Sequence, residues 1–180
     1  MANFLFVDNS NVWIEGMRVS AVQRGIAPDI WTAIQNRIQD PGWRMDFGRL
    51  YEFAGGDPAG CAYLYGSRPP LNDSLWNIVK AKGFDPVIYD RNASNREKKI
   101  DTDIAAGMME ASYERMKAGQ DVLTLVAGDA DYVPVIERIT KRGFQVDVLF
   151  WKHASHELKS AATNFIELDP HLDYLNFLHQ

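Results

Sequence analysis

Short, uninterrupted apolar runs separated by helical patterns constrain the fold of this chain more than any other feature of its sequence. Six runs predict buried strands, at residues 4–7, 62–66, 86–89, 122–127, 145–150 and 165–168. Most of them are continuous rather than alternating, which is typical of strands that are covered on both faces. The pattern therefore predicts a mainly parallel sheet with both of its faces covered.

Helical patterns lie between the predicted strands, at residues 12–24, 73–82, 102–117, 132–142 and 156–162. Two of them stop at a glycine, at Lys82-Gly83 and at Arg142-Gly143, as helices often do. Strands that alternate with helices indicate an α/β fold built from βαβ units. The stretch 28–60 predicts one or two short helices and a loop at 55–58, and residues 170–180 predict a final helical turn or two.

The length of 180 residues fits a single domain, with a core at about residues 3–168 and a tail at 169–180. No apolar run approaches the roughly 18 residues of a transmembrane helix, and the N-terminus lacks the pattern of a signal peptide. The one cysteine, Cys61, cannot form an internal disulfide, which fits a reducing, cytoplasmic location. A net charge of −5 argues against a large basic surface for nucleic acid, although it permits a local patch.

Four aspartates occupy positions that a parallel sheet would bring to one edge. Asp8 follows the first predicted strand, Asp129 and Asp131 follow the fourth, and Asp101 is expected to open the long helix after the third. Because function in parallel α/β sheets gathers outside the carboxyl ends of the strands, all four acids are expected at that edge.

Carboxylates that are brought together repel each other unless some are protonated or a cation neutralises them. Such oxygen ligands suit Mg²⁺ or Mn²⁺, and an ion of this kind activates water and stabilises charge on a phosphate. Asn11 is placed to orient a carboxylate or a bound water through its amide. The polar residues after the first strand are therefore predicted to form one wall of an acidic metal site.

Each acid also has a structural interpretation, because Asp, Asn and Ser commonly cap helix N-termini. The candidate caps are Asp8 or Ser10 for a helix from Val12, Asp101 for a helix from Thr102, and Asp131 for a helix from Tyr132. The four acids taken together favour the metal site, and Gly128 permits a tight turn before Asp129.

Three blocks of the sequence carry a family resemblance: FVDNSNVWIEG, EKKIDTDIA and LVAGDADYVPVIERITKRGFQVDV. In order, separation and strand context they resemble the NYN domain, a branch of the PIN-like nuclease superfamily. SHELKSAATNFIEL resembles the closing segment of that family, so the resemblance spans about residues 3–168. It implies a Rossmann-like three-layer α/β/α sandwich, an acidic Mg²⁺ or Mn²⁺ centre, and metal-dependent cleavage of phosphodiester bonds, chiefly in RNA.

Carried over by position, the resemblance implies that Asp8, Asp101, Asp129 and Asp131 form the acidic cluster, with Asn11 as the polar partner of Asp8. Asp8 and Asp129 would bind the principal metal. Asp101 and Asp131 would bind a second metal or hold the water on the first.

An acidic centre that receives a phosphate is expected to have positive charge at its rim. The candidate phosphate-binding residues lie after the second strand and before Asp101: Ser67, Arg68, Arg91, Arg96, Lys98 and Lys99. Their alternative role is that of ordinary solvated surface residues. Trp13, Tyr65 and Tyr132 are near enough to stack on unpaired bases, although core packing is the preferred interpretation.

Other interpretations of these residues are weaker. An aspartyl phosphatase typically has a second acid where this chain has Ser10, and a metal-dependent adhesion module needs a serine where it has Val12. His153 and His156 predict an exposed helix start rather than a metal pair, because structural metal sites normally draw on more ligands.

The main alternative to an enzyme is a catalytically degenerate PIN-like domain that binds RNA or a protein partner without cleavage. Gly107 and Thr163 favour it, because the family often has acids at those positions. The sequence leaves the oligomeric state open, a homodimer included.

Overall fold

The computed structural model describes residues 1–55, 59–68, 74–90 and 96–177. Residues 56–58 of the predicted loop and the basic residue Arg91 lie outside these ranges. The side chains of Arg68, Arg96 and Lys98 also lie outside the described part of the chain.

Six strands form one parallel sheet within the described ranges. They are β1 (Asn3–Asp8), β2 (Ala59–Arg68), β3 (Asp85–Asp90), β4 (Val122–Val126), β5 (Gln145–Phe150) and β6 (Asn164–Glu167). The order across the sheet is β3-β2-β1-β4-β5-β6, and each neighbouring pair is parallel. The six predicted strands and the parallel sheet are confirmed.

The same ranges contain seven α-helices: α1 (Asn9–Gln23), α2 (Ile30–Gln35), α3 (Phe47–Ala54), α4 (Ser74–Ala81), α5 (Arg96–Glu114), α6 (Val133–Lys141) and α7 (His156–Ala161). Short 3₁₀ turns lie at Ala130–Tyr132 and Asp169–His171, the second of them in the predicted tail. The five predicted helices are confirmed, and the stretch 28–60 contributes α2 and α3. Gly83 and Gly143 follow α4 and α6 with φ angles of 104° and 88°, a region that glycine adopts without strain.

A hydrophobic core covers each face of the sheet, and β1 shows how the sequence divides between them. Leu5 and Val7 pack in the core that α1, α3 and α4 cover, whereas Phe4 and Phe6 pack in the core under α5, α6 and α7. All four side chains are less than 5% exposed. The fold is therefore the three-layer α/β/α sandwich that the sequence predicts. No helix among the described residues is long and apolar enough to cross a bilayer.

Candidate active site

The candidate site lies at the carboxyl edge of the sheet, between β1 and β4. From β1 the sheet continues through β2 and β3 on one side, and through β4, β5 and β6 on the other. At such a switch point the connections leave for opposite faces, which opens the crevice where α/β proteins bind ligands. Asp8 ends β1 and Asp129 follows β4, so two of the predicted acids stand at this crevice.

Asp8 is the buried acid of the site, with only 5% of the residue exposed. It caps α1 by accepting a hydrogen bond from the Asn11 N–H at 3.3 Å, and the Ser10 hydroxyl donates to the same carboxylate at 3.4 Å. Within the described residues no basic side chain forms an ion pair with it. Burial raises the pKa of Asp8 to about 7; the Asn11 hydrogen bond opposes this rise, and the charge of Asp101 adds to it.

Tyr132 connects Asp8 with Asp101, which lies on α5. The Tyr132 hydroxyl is 3.0 Å from Asp101 Oδ1 and 3.4 Å from Asp8 Oδ2, and the residue is 1% exposed. Burial, together with the charges of the two carboxylates, raises the pKa of this hydroxyl, so it remains a hydrogen-bond donor. A carboxylate from the end of β1 and a carboxylate from α5 therefore meet at the hydroxyl of Tyr132.

Asp101 lies inside α5, so the expectation that it opens or caps this helix is wrong. α5 begins at Arg96 because the arginine, glutamate and lysines before Asp101 are strong helix formers and extend the helix backwards.

Asp129 reaches the site from the loop after β4. Its Oδ1 accepts the Asp131 N–H at 3.0 Å and caps the 3₁₀ turn, so Asp129 takes the capping role expected of Asp131. The Gly128 N–H donates to the Asn11 amide oxygen at 3.2 Å, which ties this loop to α1. Asp129 and Asp131 are both exposed.

Three of the four predicted acids line one cavity of about 220 Å³, which we call the acidic cavity. Its described lining residues are Asp8, Ser10, Asn11, Ile14, Glu15, Arg18, Asp101 and Asp129. Asp131 is not among them, although its backbone supports Asp129. The structure thus brings Asp8, Asp101 and Asp129 together and leaves Asp131 at the surface beside them.

Glu15 and Arg18 are cavity residues that the sequence-based prediction missed. They form an ion pair with each other across one turn of α1, and their side chains are 14% and 16% exposed. The signal was available, because Asn11, Glu15 and Arg18 follow one another at intervals of four and three, which places them on one face of a helix. Arg18 brings a positive charge into the acidic cavity.

His153 is largely buried, so the prediction that it forms an exposed helix start is wrong. Its side chain is 8% exposed, and its Nε2 lies 2.6 Å from Glu15 Oε2. The loop after β5 folds back onto α1, which sequence spacing alone does not reveal. His156, the first residue of α7, is exposed as predicted.

Two of the predicted phosphate-binding residues, Ser67 and Lys99, have described side chains. Tyr65 of β2 lies opposite Asp8 in the register of β1 and β2, and Ser67 follows two positions further along β2. Lys99 is exposed on α5, two residues before Asp101. The phosphate-binding role of the whole set stays a prediction.

The three aromatic residues near the site pack in the core, as the preferred interpretation holds. Tyr65 and Tyr132 are 4% and 1% exposed. Trp13 stands edge-on to Phe47, with ring centroids 5.8 Å apart.

Gly107 is in close contact with the sheet. A Cβ atom at this position would lie 3.0 Å from the Tyr65 hydroxyl and 3.1 Å from a ring carbon of Phe6, so an acid does not fit without a shift of these aromatic residues. Asp103 does not supply the acid that is absent at Gly107, because the Asp103 carboxylate accepts a hydrogen bond from the Tyr89 hydroxyl at 2.5 Å.

Thr163 lies at the opposite edge of the sheet. Its hydroxyl oxygen accepts the Val146 N–H at 3.0 Å, near the start of β5. It therefore belongs to the amino end of the sheet rather than to the acidic cavity.

We expect Gly128→Ala to lower the free energy of unfolding by about 2–3 kcal/mol, because a Cβ atom there would lie 2.1 Å from Phe150 Cε1 in the core. Urea unfolding measures this loss. Gly48→Ala is the control: the nearest atom to its Cβ is the flexible Lys82 side chain at 3.2 Å, so the change should stay within about 1 kcal/mol. Equal, small effects of both substitutions would show that the loop beside Asp129 does not depend on close packing at Gly128.

This fold and site define a doubly wound α/β protein with a carboxylate-lined crevice at its topological switch point. The chain belongs to the NYN domain family, whose model matches residues 6–169. The family has a PIN-like nuclease fold, and its members are generally ribonucleases.

A solved structure shares the fold: that of a protein of unknown function from Vibrio parahaemolyticus. It superposes with a TM-score of 0.64 at 19% sequence identity, covering 93% of this chain and 92% of the other. The search of curated proteins gave no match to this chain.

PIN-like nucleases typically use divalent metals, which are the ions predicted for the four acids. Among the described residues, no group of three or more His, Cys, Asp or Glu side chains is already assembled around one ion position. The donor chemistry nevertheless fits, because Asp8, Asp101 and Asp129 offer carboxylate oxygens to one cavity. A cation there would also lower the pKa of Asp8 and so oppose the effect of burial on this carboxylate.

Proposed function

We propose that this protein is a metal-dependent nuclease that hydrolyses phosphodiester bonds of RNA. The observation that carries the proposal is the buried Asp8 carboxylate, which shares the Tyr132 hydroxyl with Asp101 in a cavity that Asp129 also lines. A buried carboxylate without an ion pair among the described residues opposes folding, and perturbed acids in a crevice mark functional sites. Membership of the NYN domain family supports phosphodiester chemistry on RNA.

In this proposal Asp8 and Asp129 hold Mg²⁺ or Mn²⁺, Asp101 contributes from α5, and Asp131 acts from the rim of the cavity. When bound, such an ion lowers the pKa of water and stabilises the charge that develops on the phosphate. A cytoplasmic location forms part of this proposal, because the one cysteine, Cys61, cannot form an internal disulfide.

Other side chains position the acids. The Asn11 backbone holds Asp8 and its amide oxygen holds Gly128, so one residue links the ends of β1 and β4. The Tyr132 hydroxyl donates to Asp101 at 3.0 Å and fixes that carboxylate beside Asp8. These contacts keep the acids in place before substrate arrives, which is the preorganisation that electrostatic catalysis needs.

In this proposal, basic and hydroxyl side chains around the cavity bind the substrate phosphates. Arg18 lines the cavity itself, and Lys99 is exposed on α5, two residues before Asp101. The remaining members of this set are Ser67, Arg68, Arg96 and Lys98. Their charge would offset the repulsion between an acidic site and an anionic strand.

The alternative is a PIN-like domain that binds RNA or a protein partner without cutting it. Two observations favour it: no three acidic side chains are assembled around one ion position in the described chain, and Gly107 has no room for a further acid.

The metal site is tested first by thermal unfolding with and without Mn²⁺. A ligand that binds only the folded state raises its stability, by about 2.7 kcal/mol at a hundred times the Kd. Mn²⁺ should therefore raise the Tm of the wild-type protein by several degrees and have much less effect on Asp129→Asn. The same samples should cleave a single-stranded RNA in Mn²⁺ but not in EDTA.

Asp147→Asn is the matched control, since Asp147 lies on β5 and its carboxylate accepts hydrogen bonds from Gln145 and Asn164, away from the cavity. It should keep the full response to Mn²⁺. If Mn²⁺ stabilises neither wild type nor control, the metal site does not exist. Binding of RNA without cleavage in Mn²⁺ would support the non-cleaving alternative.

A further inference from the structure

A second cavity lies beside the acidic cavity, on the side of α2. Its volume is about 340 Å³, and we call it the Trp31 cavity. Asn11, Glu15 and Asp129 line both cavities, so the two are adjacent at the Asp129 loop. A ligand bound at the acids that extends past these three residues therefore reaches the Trp31 cavity.

Trp31 is the exposed tryptophan of the chain. It is 66% exposed, whereas Trp43, Trp76 and Trp151 are at most 4% exposed. An isolated exposed aromatic residue would need no explanation, but this indole forms a wall of a cavity beside the proposed catalytic acids. Its position is what makes it a candidate for ligand contact.

The walls of the Trp31 cavity combine apolar surface with a few polar groups. Ile34 follows Trp31 by one turn of α2, and Phe150 and Ala154 contribute further apolar surface. His153 stands edge-on to the Trp31 ring, with centroids 6.4 Å apart, and Glu15 holds its Nε2 at 2.6 Å. Flat apolar faces with polar groups at their edges match a nucleobase, which has apolar faces and a polar rim.

We propose that the Trp31 cavity binds the unpaired base of the nucleotide next to the phosphate at the acids, with that base stacked on the indole of Trp31. The proposal rests on the proposed function and extends it, because it makes the substrate single-stranded at this position. A base within a duplex is stacked and paired, so it cannot enter the cavity. His153 and Glu15 act as positioning residues that hold one edge of the subsite.

The test measures binding of a labelled eight-nucleotide single-stranded RNA by fluorescence anisotropy in Ca²⁺, which takes the same oxygen ligands as Mg²⁺. The RNA is checked for integrity afterwards. Loss of one base–aromatic stack should weaken binding by Trp31→Ala about tenfold. Trp31→Phe keeps an aromatic face and should bind within about threefold of wild type.

Tyr113→Ala is the matched control, because Tyr113 is an exposed aromatic residue, at 64%, that packs on Arg142 at the other end of α5. It should bind the RNA as wild type does. RNA binding should also quench the tryptophan emission of the wild-type protein. Most of this quenching should be absent in Trp31→Phe. The Tm of each variant excludes unfolding as the cause.

The subsite and the proposed function fail in different ways. If wild type cleaves RNA in Mn²⁺ but Trp31→Ala binds it equally well, the subsite is wrong and the nuclease stands. If wild type does not cleave but Trp31→Ala weakens binding, the subsite stands without the activity. The subsite is overturned if Trp31→Ala weakens the binding of duplex RNA and of single-stranded RNA equally. It is also overturned if the wild-type protein binds no RNA.

Discussion

Asp8→Asn should reduce the rate of Mn²⁺-dependent RNA cleavage about a thousandfold, because it removes a charged oxygen ligand from the most buried position of the proposed site. Metal-ion catalysis contributes several kcal/mol to stabilisation of the transition state, and about 4 kcal/mol corresponds to a factor of a thousand. The asparagine keeps an oxygen that accepts the hydrogen bonds from Asn11 and Ser10, so the end of β1 should fold as before. Initial rates on a single-stranded RNA at saturating Mn²⁺ measure the effect.

Asp40→Asn is the control for this loss, since it makes the same chemical change at another buried aspartate. Asp40 is 4% exposed, like Asp8, but lies near the far end of α1, where it binds Ser20 at 2.6 Å and pairs with Arg24 at 3.0 Å. Its cleavage rate should stay within about threefold of wild type at a temperature where both proteins are folded. An Asp8→Asn protein that still cleaves at the wild-type rate would remove Asp8 from the site.

The positions of the acids could be predicted from the sequence because they depend on topology. Once the apolar runs are strands of a parallel sheet, the residues that follow Val7 and Ala127 must emerge at the same edge. No side-chain detail is needed for that conclusion. It therefore survived the error over Asp101, whose helix starts at Arg96 rather than at Thr102 as expected.

The contacts that define the site could not be predicted, because they join residues far apart in the chain. Tyr132 was expected to pack in the core, and it does, yet its hydroxyl also contacts two carboxylates. His153 approaches Glu15 only because the loop after β5 folds over α1. Trp31 lies in the least regular part of the sequence, where no periodicity indicates which side chains face a cavity.

Asp8 is also buried by contacts between residues far apart in the chain. This burial gives the second large expected effect, which is on stability. Burial raises the pKa of Asp8 from 3.8 to about 7 in the folded protein. The folded state therefore binds the proton more tightly than the unfolded state, so this contribution to stability is fully present below about pH 4 and is lost as the pH rises through about 7. At about 1.4 kcal/mol for each pKa unit, the loss is on the order of 4 kcal/mol.

In EDTA, Asp8→Asn should lack this loss, because asparagine does not ionise. Relative to wild type, its free energy of unfolding should increase from about pH 4 to about pH 7 and stay constant above that range. Urea unfolding at several pH values gives this difference directly. Parallel stability curves for the two proteins would mean that Asp8 is not desolvated as the fold indicates.

Asp40→Asn should show the opposite sign. Burial alone would raise the pKa of Asp40, but hydrogen bonds from Ser20 and Gly42 and the charge of Arg24 hold it below its ordinary value. Its stabilising contribution is present at neutral pH and is lost only as the pH falls below about 4, so Asp40→Asn should cost about 1–3 kcal/mol at pH 7. Two aspartates of similar exposure thus differ in sign, because hydrogen bonds and the charge of Arg24 outweigh burial at Asp40, whereas burial dominates at Asp8. The addition of Mn²⁺ should bring Asp8 closer to the behaviour of Asp40.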